Sequence, residues 1–220
     1  MPRMKPVYTN VGIVGAGAMG RGIAQIAAQA GSTVKLFDTQ PGAVAKARDA
    51  VFAQWDKLQE KGRMDAAQVA GQKARLLATD SLQSLSDCDL IIEAVVERLD
   101  IKKALFSELE SLVRPGAVLA TNTSSLSVTA IAAGLKRPQQ FAGYHFFNPV
   151  PLMKVVEAVA GLKTDPAICA NLAAYAKQMG HTAVQAQDTP GFIVNHAGRG
   201  YGTEALRIVG EGVADFVTID

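Results

Sequence analysis

Residues 11–20 have the sequence VGIVGAGAMG, in which a short apolar run leads directly into three closely spaced glycines. A second apolar run, at residues 33–37, ends on Asp38, 18 positions after Gly20. The two apolar runs predict buried strands, and the glycines between them open a helix predicted over residues 19–30. A strand, a glycine-rich turn, a helix and a second strand form the repeating unit of a parallel α/β sheet.

The glycines also predict a dinucleotide-binding turn, because each has a separate steric reason. Gly15 permits the sharp turn, Gly17 lets the backbone approach a pyrophosphate, and Gly20 lets the helix pack close to the strand. The N-terminus of the helix, at Ala18 and Met19, offers free N–H groups to the phosphates. An ordinary tight turn is the alternative, and the complete strand–turn–helix–strand context disfavours it.

Asp38 predicts which dinucleotide is bound. An acid at the end of the second strand accepts hydrogen bonds from ribose hydroxyls and repels a 2′-phosphate. Residues 39–40 are Thr-Gln, so no arginine follows that could receive such a phosphate. The motif therefore predicts NAD rather than NADP.

Composition and charge restrict the classes of protein. With 220 residues, 49% of them hydrophobic and 19% charged, the chain is expected to fold around a packed core. A formal charge of +2, without a block of basic residues, predicts no nucleic-acid partner. Cys88 and Cys169 lie far apart without metal-ligand spacing, which predicts two buried thiols in a reducing compartment and no metal site.

Targeting signals are also lacking in the sequence pattern. The first six residues, MPRMKP, are not followed by the apolar core of a signal peptide. No apolar run approaches the roughly 18 residues of a membrane helix. We therefore expect a cytoplasmic protein without a membrane segment.

The rest of the chain continues the alternation of strands and helices. It predicts a Rossmann-type, doubly wound α/β domain with a mostly parallel sheet over residues 1–189. Residues 191–210 predict one long helix that begins just after Pro190. We interpret residues 190–220, too few to bury a core of their own, as the incomplete start of an α-helical second domain. Further strands are predicted at 75–80, 89–95, 118–121, 141–146, 153–159 and 182–184, and further helices at 42–61, 99–113, 128–133 and 166–180.

Three polar clusters follow predicted strands or the domain junction. The first, TNTSS at residues 121–125, follows a strand, and the carboxyl ends of strands form the ligand crevice of such sheets. Helix capping by Ser124, Ser125 or Ser127 explains the same residues equally well. The third, DTPGFIVN at residues 188–195, places Asn195 in the first turns of the long helix, where a hinge with a polar surface is the alternative.

The second cluster is a histidine and an acid. His145 lies among aromatic residues, and such a histidine is more often a satisfied core residue than a catalytic one. Glu157, 12 residues later, interrupts the apolar run VVEAV, where a carboxylate is costly unless it is paired. A His145–Glu157 pair explains both residues, since the carboxylate would orient the imidazole as a general base.

Together these segments resemble the L-3-hydroxyacyl-CoA dehydrogenases, including the 3-hydroxybutyryl-CoA dehydrogenases. The resemblance covers essentially the whole chain, and HFFNP and DTPGFIVN are its most specific parts. It is carried, in order, by GAGAMG (15–20), EAVVE (93–97), NTSS (122–125), HFFNPVP (145–151) and DTPGFIVN (188–195).

The resemblance implies a role for each matching residue. His145 is implied to be the catalytic base with Glu157 as its partner, while Ser124 and Asn195 bind the reacting oxygen and the substrate. Lys61 matches a basic residue for the phosphates of CoA, although a solvated lysine is the usual alternative. The substrate is implied to be an acyl-CoA and the protein a homodimer. The residues implied to contact NAD are Gly15, Gly17, Ala18, Met19, Gly20, Asp38, Glu97, Lys102, Asn122, Ser124 and Asn148.

Two departures from the family pattern and two alternative functions stay open. His196 stands where the family often has arginine, and residues 197–202, AGRGYG, are rich in glycine for a helix. Family members also continue with further helices, so we expect this chain to be truncated. A dehydrogenase of free β-hydroxy acids would require a lysine in that glycine-rich helix, where this chain has Arg199. A non-enzymatic, crystallin-like NAD-binding protein would have no reason to retain all four proposed catalytic residues.

Overall fold

The computed structural model describes residues 6–219, which fold around one sheet of eight strands. The strands are β1 (Asn10–Val14), β2 (Thr33–Phe37), β3 (Leu76–Ala78), β4 (Leu90–Glu93), β5 (Val118–Thr121), β6 (Phe141–Phe146), β7 (Val155–Ala160) and β8 (Thr182–Gln187). Their spatial order is β3-β2-β1-β4-β5-β6-β7-β8. The first six are mutually parallel, and β7 pairs antiparallel with β6. The order 3-2-1-4-5-6 is that of a doubly wound dinucleotide-binding sheet, which confirms the predicted fold class.

Helices cover both faces of this sheet. Alternate residues of β4 and β5 belong to two separate apolar cores, with Ile92 and Ala120 in one and Ile91 and Leu119 in the other. This division follows from the period of two along a strand. The helices are α1 (Ala18–Gln29), α2 (Ala43–Glu60), α3 (Ala66–Arg75), α4 (Leu99–Leu112), α5 (Val128–Ala132), α6 (Pro166–Gln178), α7 (Val194–Gly210) and α8 (Phe216–Ile219).

Helix α3 was not predicted from the sequence. Asp65 accepts a hydrogen bond from the Gln68 N–H, and the Gln68 side chain accepts one from the Asp65 N–H, so a capping box starts the helix. Arg75 is the last residue of α3, which shortens the strand predicted at 75–80 to Leu76–Ala78.

The start of α7 also differs from the prediction. The helix begins at Val194 rather than just after Pro190, because Gly191 and Phe192 have φ values of 78° and 49°. Both values lie in the left-handed region, which cannot continue into a right-handed helix. Residues 188–193 therefore form a turn before α7. No helix within residues 6–219 is both long and apolar enough to span a membrane.

Candidate active site

The glycine turn between β1 and α1 is shaped by close backbone contacts. A Cβ atom on Gly20 would lie 1.8 Å from the Gly15 carbonyl oxygen, and one on Gly15 would lie 2.4 Å from the Ala94 oxygen. By contrast, a Cβ atom on Gly17 would meet no protein atom within 4 Å. Gly15 and Gly20 are thus required by the fold itself, whereas Gly17 borders open space at the N-terminus of α1.

Asp38 lies beside this turn at the end of β2. Its carboxylate accepts hydrogen bonds from the Ala16 N–H at 2.7 Å and the Gln40 N–H at 2.8 Å. An adjoining cleft of about 570 Å³ is bordered by Asp38 and Gly17 and is walled largely by apolar side chains. A glycine cradle, a carboxylate and an apolar slot match the pyrophosphate, ribose and adenine of NAD in turn. The apolar walls include Phe37, Leu82, Val95, Ile101 and Leu105.

Glu97, after β4, binds the serine loop that follows β5. Its Oε1 atom accepts hydrogen bonds from the Thr123 hydroxyl at 2.5 Å and from the Ser124 and Ser125 N–H groups at 2.9 and 3.3 Å. Burial raises the pKa of Glu97, but these bonds and the charge of Lys102 outweigh it and hold that pKa below its usual range. Ser127, rather than Ser124 or Ser125, caps α5 by accepting from the Ala130 N–H. Helix capping therefore accounts for Ser127, whereas the backbone N–H groups of Ser124 and Ser125 bind Glu97.

Lys102, which forms a buried ion pair with Glu93, also contacts the Glu97 carboxylate. Lys102 is only 1% exposed, and its Nζ atom lies 2.5 Å from Glu93 and 3.3 Å from Glu97. Glu93 is fully buried and also accepts hydrogen bonds from the Thr121 hydroxyl and the Val95 N–H. Sequence analysis gave Glu93 no role. An acid directly after the apolar run 90–92 was the available signal, by the reasoning applied to Glu157.

His145 and Glu157 form the buried pair that the sequence predicts. They lie directly opposite each other in the antiparallel β6–β7 ladder, and His145 Nδ1 is 2.7 Å from Glu157 Oε2. His145 is 5% exposed and Glu157 is fully buried. The other Glu157 oxygen accepts hydrogen bonds from the Ile193 and Val194 N–H groups at the start of α7, both at 2.9 Å. These three bonds offset the cost of burying the carboxylate.

Two aromatic rings hold the His145 imidazole. The rings of Phe147 and Phe192 have centroids 4.4 and 5.7 Å from that of His145. Phe192 lies within residues 191–210, which were predicted to form one long helix. Instead, its left-handed backbone directs the ring, which is 4% exposed, onto the histidine. Backbone strain of this kind is commonly found at functional sites.

Asn195 and Ser124 are brought together across the sheet edge. The Asn195 side-chain amide donates to the Ser124 carbonyl oxygen at 3.3 Å, and both residues are half-buried. Asp188 ties the same two segments together, because it accepts hydrogen bonds from the Ser127 hydroxyl and from the Val128 and Thr129 N–H groups. The loop carrying Ser124 and the turn leading to Asn195 are therefore fixed to each other.

The remaining predicted site residues are more dispersed. Asn122 accepts a hydrogen bond from the Phe146 N–H at 2.8 Å, so its amide joins the ends of β5 and β6. Asn148 is exposed in the loop after β6, and Lys61 is exposed immediately after α2. An 18-residue helix is roughly 27 Å long. Lys61 therefore lies about that far from the end of α2 that faces the glycine turn.

The glycine-rich part of α7 and His196 lie outside this cluster. The imidazole of His196 is exposed and its Nδ1 atom is 3.2 Å from the Pro190 carbonyl oxygen. Cβ atoms on Gly198, Gly200 and Gly202 would meet nothing within 4 Å among the described residues. Within residues 6–219, therefore, no close packing accounts for these glycines. The two cysteines, in contrast, are buried and unpaired as predicted.

The doubly wound sheet, with the glycine turn after β1 and Asp38 beside it, is that of a dinucleotide-binding domain. Residues 10–189 match the family model described as "3-hydroxyacyl-CoA dehydrogenase, NAD binding domain". The chain belongs to this family, as the resemblance predicted.

Individual relatives agree with that assignment. The chain is 42% identical over 211 residues to 3-hydroxyadipyl-CoA dehydrogenase of Escherichia coli, covering 96% of this chain and 44% of that protein. It is 40% identical to a probable 3-hydroxybutyryl-CoA dehydrogenase of Deinococcus radiodurans, and the match covers 95% of this chain and 75% of that protein. The fold is similar to the crystal structure of (S)-3-hydroxybutyryl-CoA dehydrogenase from Ralstonia eutropha, with a TM-score of 0.92. The two sequences are 38% identical, and the match covers 97% of this chain and 75% of that one. The chain thus spans 44% of the length of the Escherichia coli protein and 75% of the length of the other two.

Proposed function

We propose that this protein catalyses the reversible oxidation of a (3S)-3-hydroxyacyl-CoA to the 3-ketoacyl-CoA with NAD. The observation that carries the proposal is the buried His145–Glu157 pair at 2.7 Å, next to the Ser124–Asn195 contact. The family and the names of the relatives support the same reaction class. NAD, when bound, supplies the hydride acceptor for C3 of the substrate.

In this proposal His145 removes the proton of the substrate hydroxyl. Its Nδ1 atom is engaged by Glu157, which leaves Nε2 as the nitrogen that accepts that proton. The buried Glu157 carboxylate accepts a hydrogen bond from the imidazole, so it would stabilise the imidazolium that forms. Phe147 and Phe192 pack against the imidazole ring and would limit its rotation.

Ser124 and Asn195 are proposed to hold the substrate oxygen. Charge on this oxygen changes as the alcohol becomes a ketone, and hydrogen-bond donors fixed in advance stabilise such a change. Glu97 and Asp188 support this role, because they hold the loop and the turn that carry the two donors. Gly15, Gly17, Gly20 and Asp38 would receive the adenosine diphosphate half of NAD.

The remaining cofactor and substrate contacts are also proposals. Asn122 and Asn148 would face the nicotinamide half, as the family resemblance implies. The resemblance implies the same of Lys102, but its Nζ atom is buried on Glu93 and Glu97, so we propose that it acts through Glu97. Lys61 is proposed to contact the phosphates of CoA. CoA is a long molecule, so these phosphates can lie far from its thioester.

We also propose that residues 190–220 belong to a second, helical domain. Its support is that α7 and α8 contain no buried residue among those described. Exposed apolar side chains there, including Phe216 and Val217, support homodimerisation through this region. Sedimentation analysis measures the oligomeric state, and a strict monomer would contradict that part of the proposal. A cytoplasmic location is proposed from the unpaired cysteines.

The test compares acetoacetyl-CoA with free acetoacetate as substrates for NADH oxidation followed by absorbance. The proposal predicts turnover of the CoA ester and little turnover of the free acid. A preference for the free acid would favour the β-hydroxy acid alternative. Turnover of neither, with NADH still bound, would favour a non-enzymatic NAD-binding protein.

A further inference from the structure

His181 is a buried histidine that the proposed reaction does not use. It lies directly before β8, in the turn that follows α6, and it is 4% exposed. Its Nε2 atom is 2.9 Å from the Val150 carbonyl oxygen, and its Nδ1 atom is 3.1 Å from the Met179 carbonyl oxygen. The ring also packs nearly perpendicular to that of Phe146, with the two centroids 5.9 Å apart. Both ring nitrogens therefore face backbone carbonyl groups.

These two contacts decide which protonation state the site favours. A carbonyl oxygen can only accept a hydrogen bond, so each ring nitrogen must donate one. A neutral imidazole has a single N–H group and would turn a lone pair toward the second oxygen, whereas an imidazolium donates from both nitrogens. Met179 is also the C-cap of α6, where carbonyl groups lack partners within the helix and positive charge is stabilised. The surroundings of His181 therefore favour the protonated ring.

No carboxylate shares this site. Among residues 6–219, His181 forms no ion pair, and both of its hydrogen bonds are to backbone oxygens. Glu157, the acid of β7, is hydrogen bonded to His145. It faces the opposite side of the sheet from Val156, which belongs to the same core as Phe146. Asp165 caps the far end of α6. The ionisable side chains on β6, on α6 and in the loop after β6, besides His145, are Tyr144, Lys154, Asp165, Cys169, Tyr175 and Lys177.

Through Val150, His181 holds the loop of residues 148–153, which borders the cofactor site. This loop begins with Asn148, and its residues 148–152 wall a groove of about 310 Å³ beside α1 and α2. Within residues 6–219, no other hydrogen bond joins the loop to a different part of the protein. The loop packs directly on α1, because a Cβ atom on Gly22 would lie 2.8 Å from the Val150 Cβ atom. The bond from His181 therefore determines how Val150 rests on α1 and where Asn148 lies.

We propose that His181 is a positioning residue for cofactor binding, which as an imidazolium donates to both carbonyl groups and so fixes the loop that carries Asn148. Loss of one ring proton would replace one of the two hydrogen bonds by repulsion between lone pairs and loosen the loop. Because the folded site favours the charged ring, its contribution is complete at low pH and is lost as the pH rises. The inference rests on the proposed contact of Asn148 with NAD and adds to the role given to His145.

Three variants and the unaltered protein test the inference between about pH 6 and pH 9, the range in which histidine changes charge. His181→Gln keeps an N–H donor but carries no charge, whereas His181→Lys keeps a charge that does not titrate in this range. His196→Gln is the matched control, because it removes an exposed histidine that lies outside the loop. The Kd for NADH is measured by fluorescence titration. Nitrogen NMR of protein labelled at histidine shows which ring nitrogens carry protons, and His181→Gln assigns the signals.

At the lower pH we expect protons on both ring nitrogens of His181. As the pH rises, the NADH affinity of the unaltered protein should fall about fivefold more than that of His181→Lys, as expected for the loss of one hydrogen bond. His181→Gln should bind NADH about fivefold more weakly at the lower pH, and this difference should close as the pH rises. His196→Gln should follow the unaltered protein at each pH.

A single ring proton on His181 throughout the range would overturn the inference, and this result does not depend on whether His181→Gln folds. NADH affinities of both His181 variants that follow the unaltered protein at every pH would also overturn it. Neither measurement requires turnover, so the inference and the proposed function fail separately. A protein with the expected pH dependence of NADH binding that never oxidises NADH with acetoacetyl-CoA would keep the role of His181 and contradict the proposed reaction.

Discussion

The two ends of the site are built by different means. At the nucleotide end, backbone atoms and missing side chains shape the groove: Gly15 and Gly20 exist because a Cβ atom has no room, and Gly17 leaves the groove open. At the reaction end, ionisable side chains are buried in pairs, Glu93 with Lys102 and Glu157 with His145. The first region depends on the absence of side chains at the glycines. The second depends on pairs of side chains that come from different helices and strands.

The two regions should therefore tolerate different substitutions. A groove made by the backbone is damaged by added atoms and little affected by altered charge. A buried charge pair is damaged when one partner is lost, because the other stays uncompensated in a medium of low polarity. Substitutions at the two ends should therefore affect different measurements, binding in one case and chemistry in the other.

The largest effect is expected from His145→Gln. Loss of the general base should lower kcat by about 10²–10⁴-fold, while the Kd for NADH stays within about twofold. Steady-state kinetics and fluorescence titration measure the two quantities. A variant that retains near-normal kcat would remove His145 from the proposed mechanism.

A matched pair of glycine substitutions sharpens the contrast within the turn. In Gly20→Ala the new Cβ would lie 1.8 Å from the Gly15 oxygen, so we expect a loss of stability of several kcal/mol and a lower Tm. In Gly17→Ala the methyl group meets no protein atom within 4 Å, so Tm should hold while NADH binding weakens. Equal losses of Tm in the two variants would contradict this reading of the turn.

Glu93→Gln tests whether the Glu93–Lys102 pair is worth more than an ordinary buried carboxylate. Removing this charge leaves Lys102 only the more distant Glu97, and the expected cost is about 3 kcal/mol in unfolding free energy. Glu110→Gln is the control, since Glu110 is also buried but accepts the Lys136 and Arg137 N–H groups, and its ion pair with Arg137, at 3.7 Å, is longer than the Glu93–Lys102 pair. Its cost should be about 1 kcal/mol. Denaturant unfolding measures both, and equal costs would show that the pair has no special contribution.

The smallest effect is expected at Asp188. Burial raises the pKa of Asp188, but hydrogen bonds from Thr129, Ser127 and Val128 outweigh it and hold that pKa below its usual range. A carboxylate whose pKa is lowered by folding stabilises the folded protein at any pH above its unfolded pKa of about 3.9. This stabilisation is lost as the pH falls through the pKa of the folded state. The site is partly exposed, so solvent screening keeps the effect small.

Asp188→Asn should therefore lower Tm by about 3 °C at neutral pH, and the difference should close as the pH falls below about 4. Thermal unfolding across this pH range measures it. A gap that stays constant with pH would assign the effect to packing rather than to charge.

Sequence reasoning succeeded where the physical cause is local. The strand at Thr33–Phe37 has the bounds that its apolar run predicted, because the burial of Val34, Leu36 and Phe37 follows from their local spacing in the sequence. The glycine turn and Asp38 also follow from spacing alone. His145 and Glu157 could be paired because a lone acid in an apolar strand demands a partner.

The misses have tertiary causes. The turn at Gly191 and Phe192 is held by contacts of Glu157 and His145, so the helix pattern of residues 191–210 could not show where α7 begins. The burial of Lys102 depends on Glu93, nine residues away and on a different element. Helix α3 is the exception, since its capping box at Asp65 was visible in the sequence.

The central claim is that the glycine turn binds the cofactor while the His145–Glu157 pair performs the chemistry. The most direct test measures the Kd for NADH and the first-turnover rate with acetoacetyl-CoA, at saturating NADH, on Gly17→Ala and His145→Gln side by side. We expect a crossed result: Gly17→Ala loses affinity for NADH and keeps its rate, and His145→Gln keeps its affinity and loses its rate. Parallel loss of both quantities in both variants would contradict the division between the two regions.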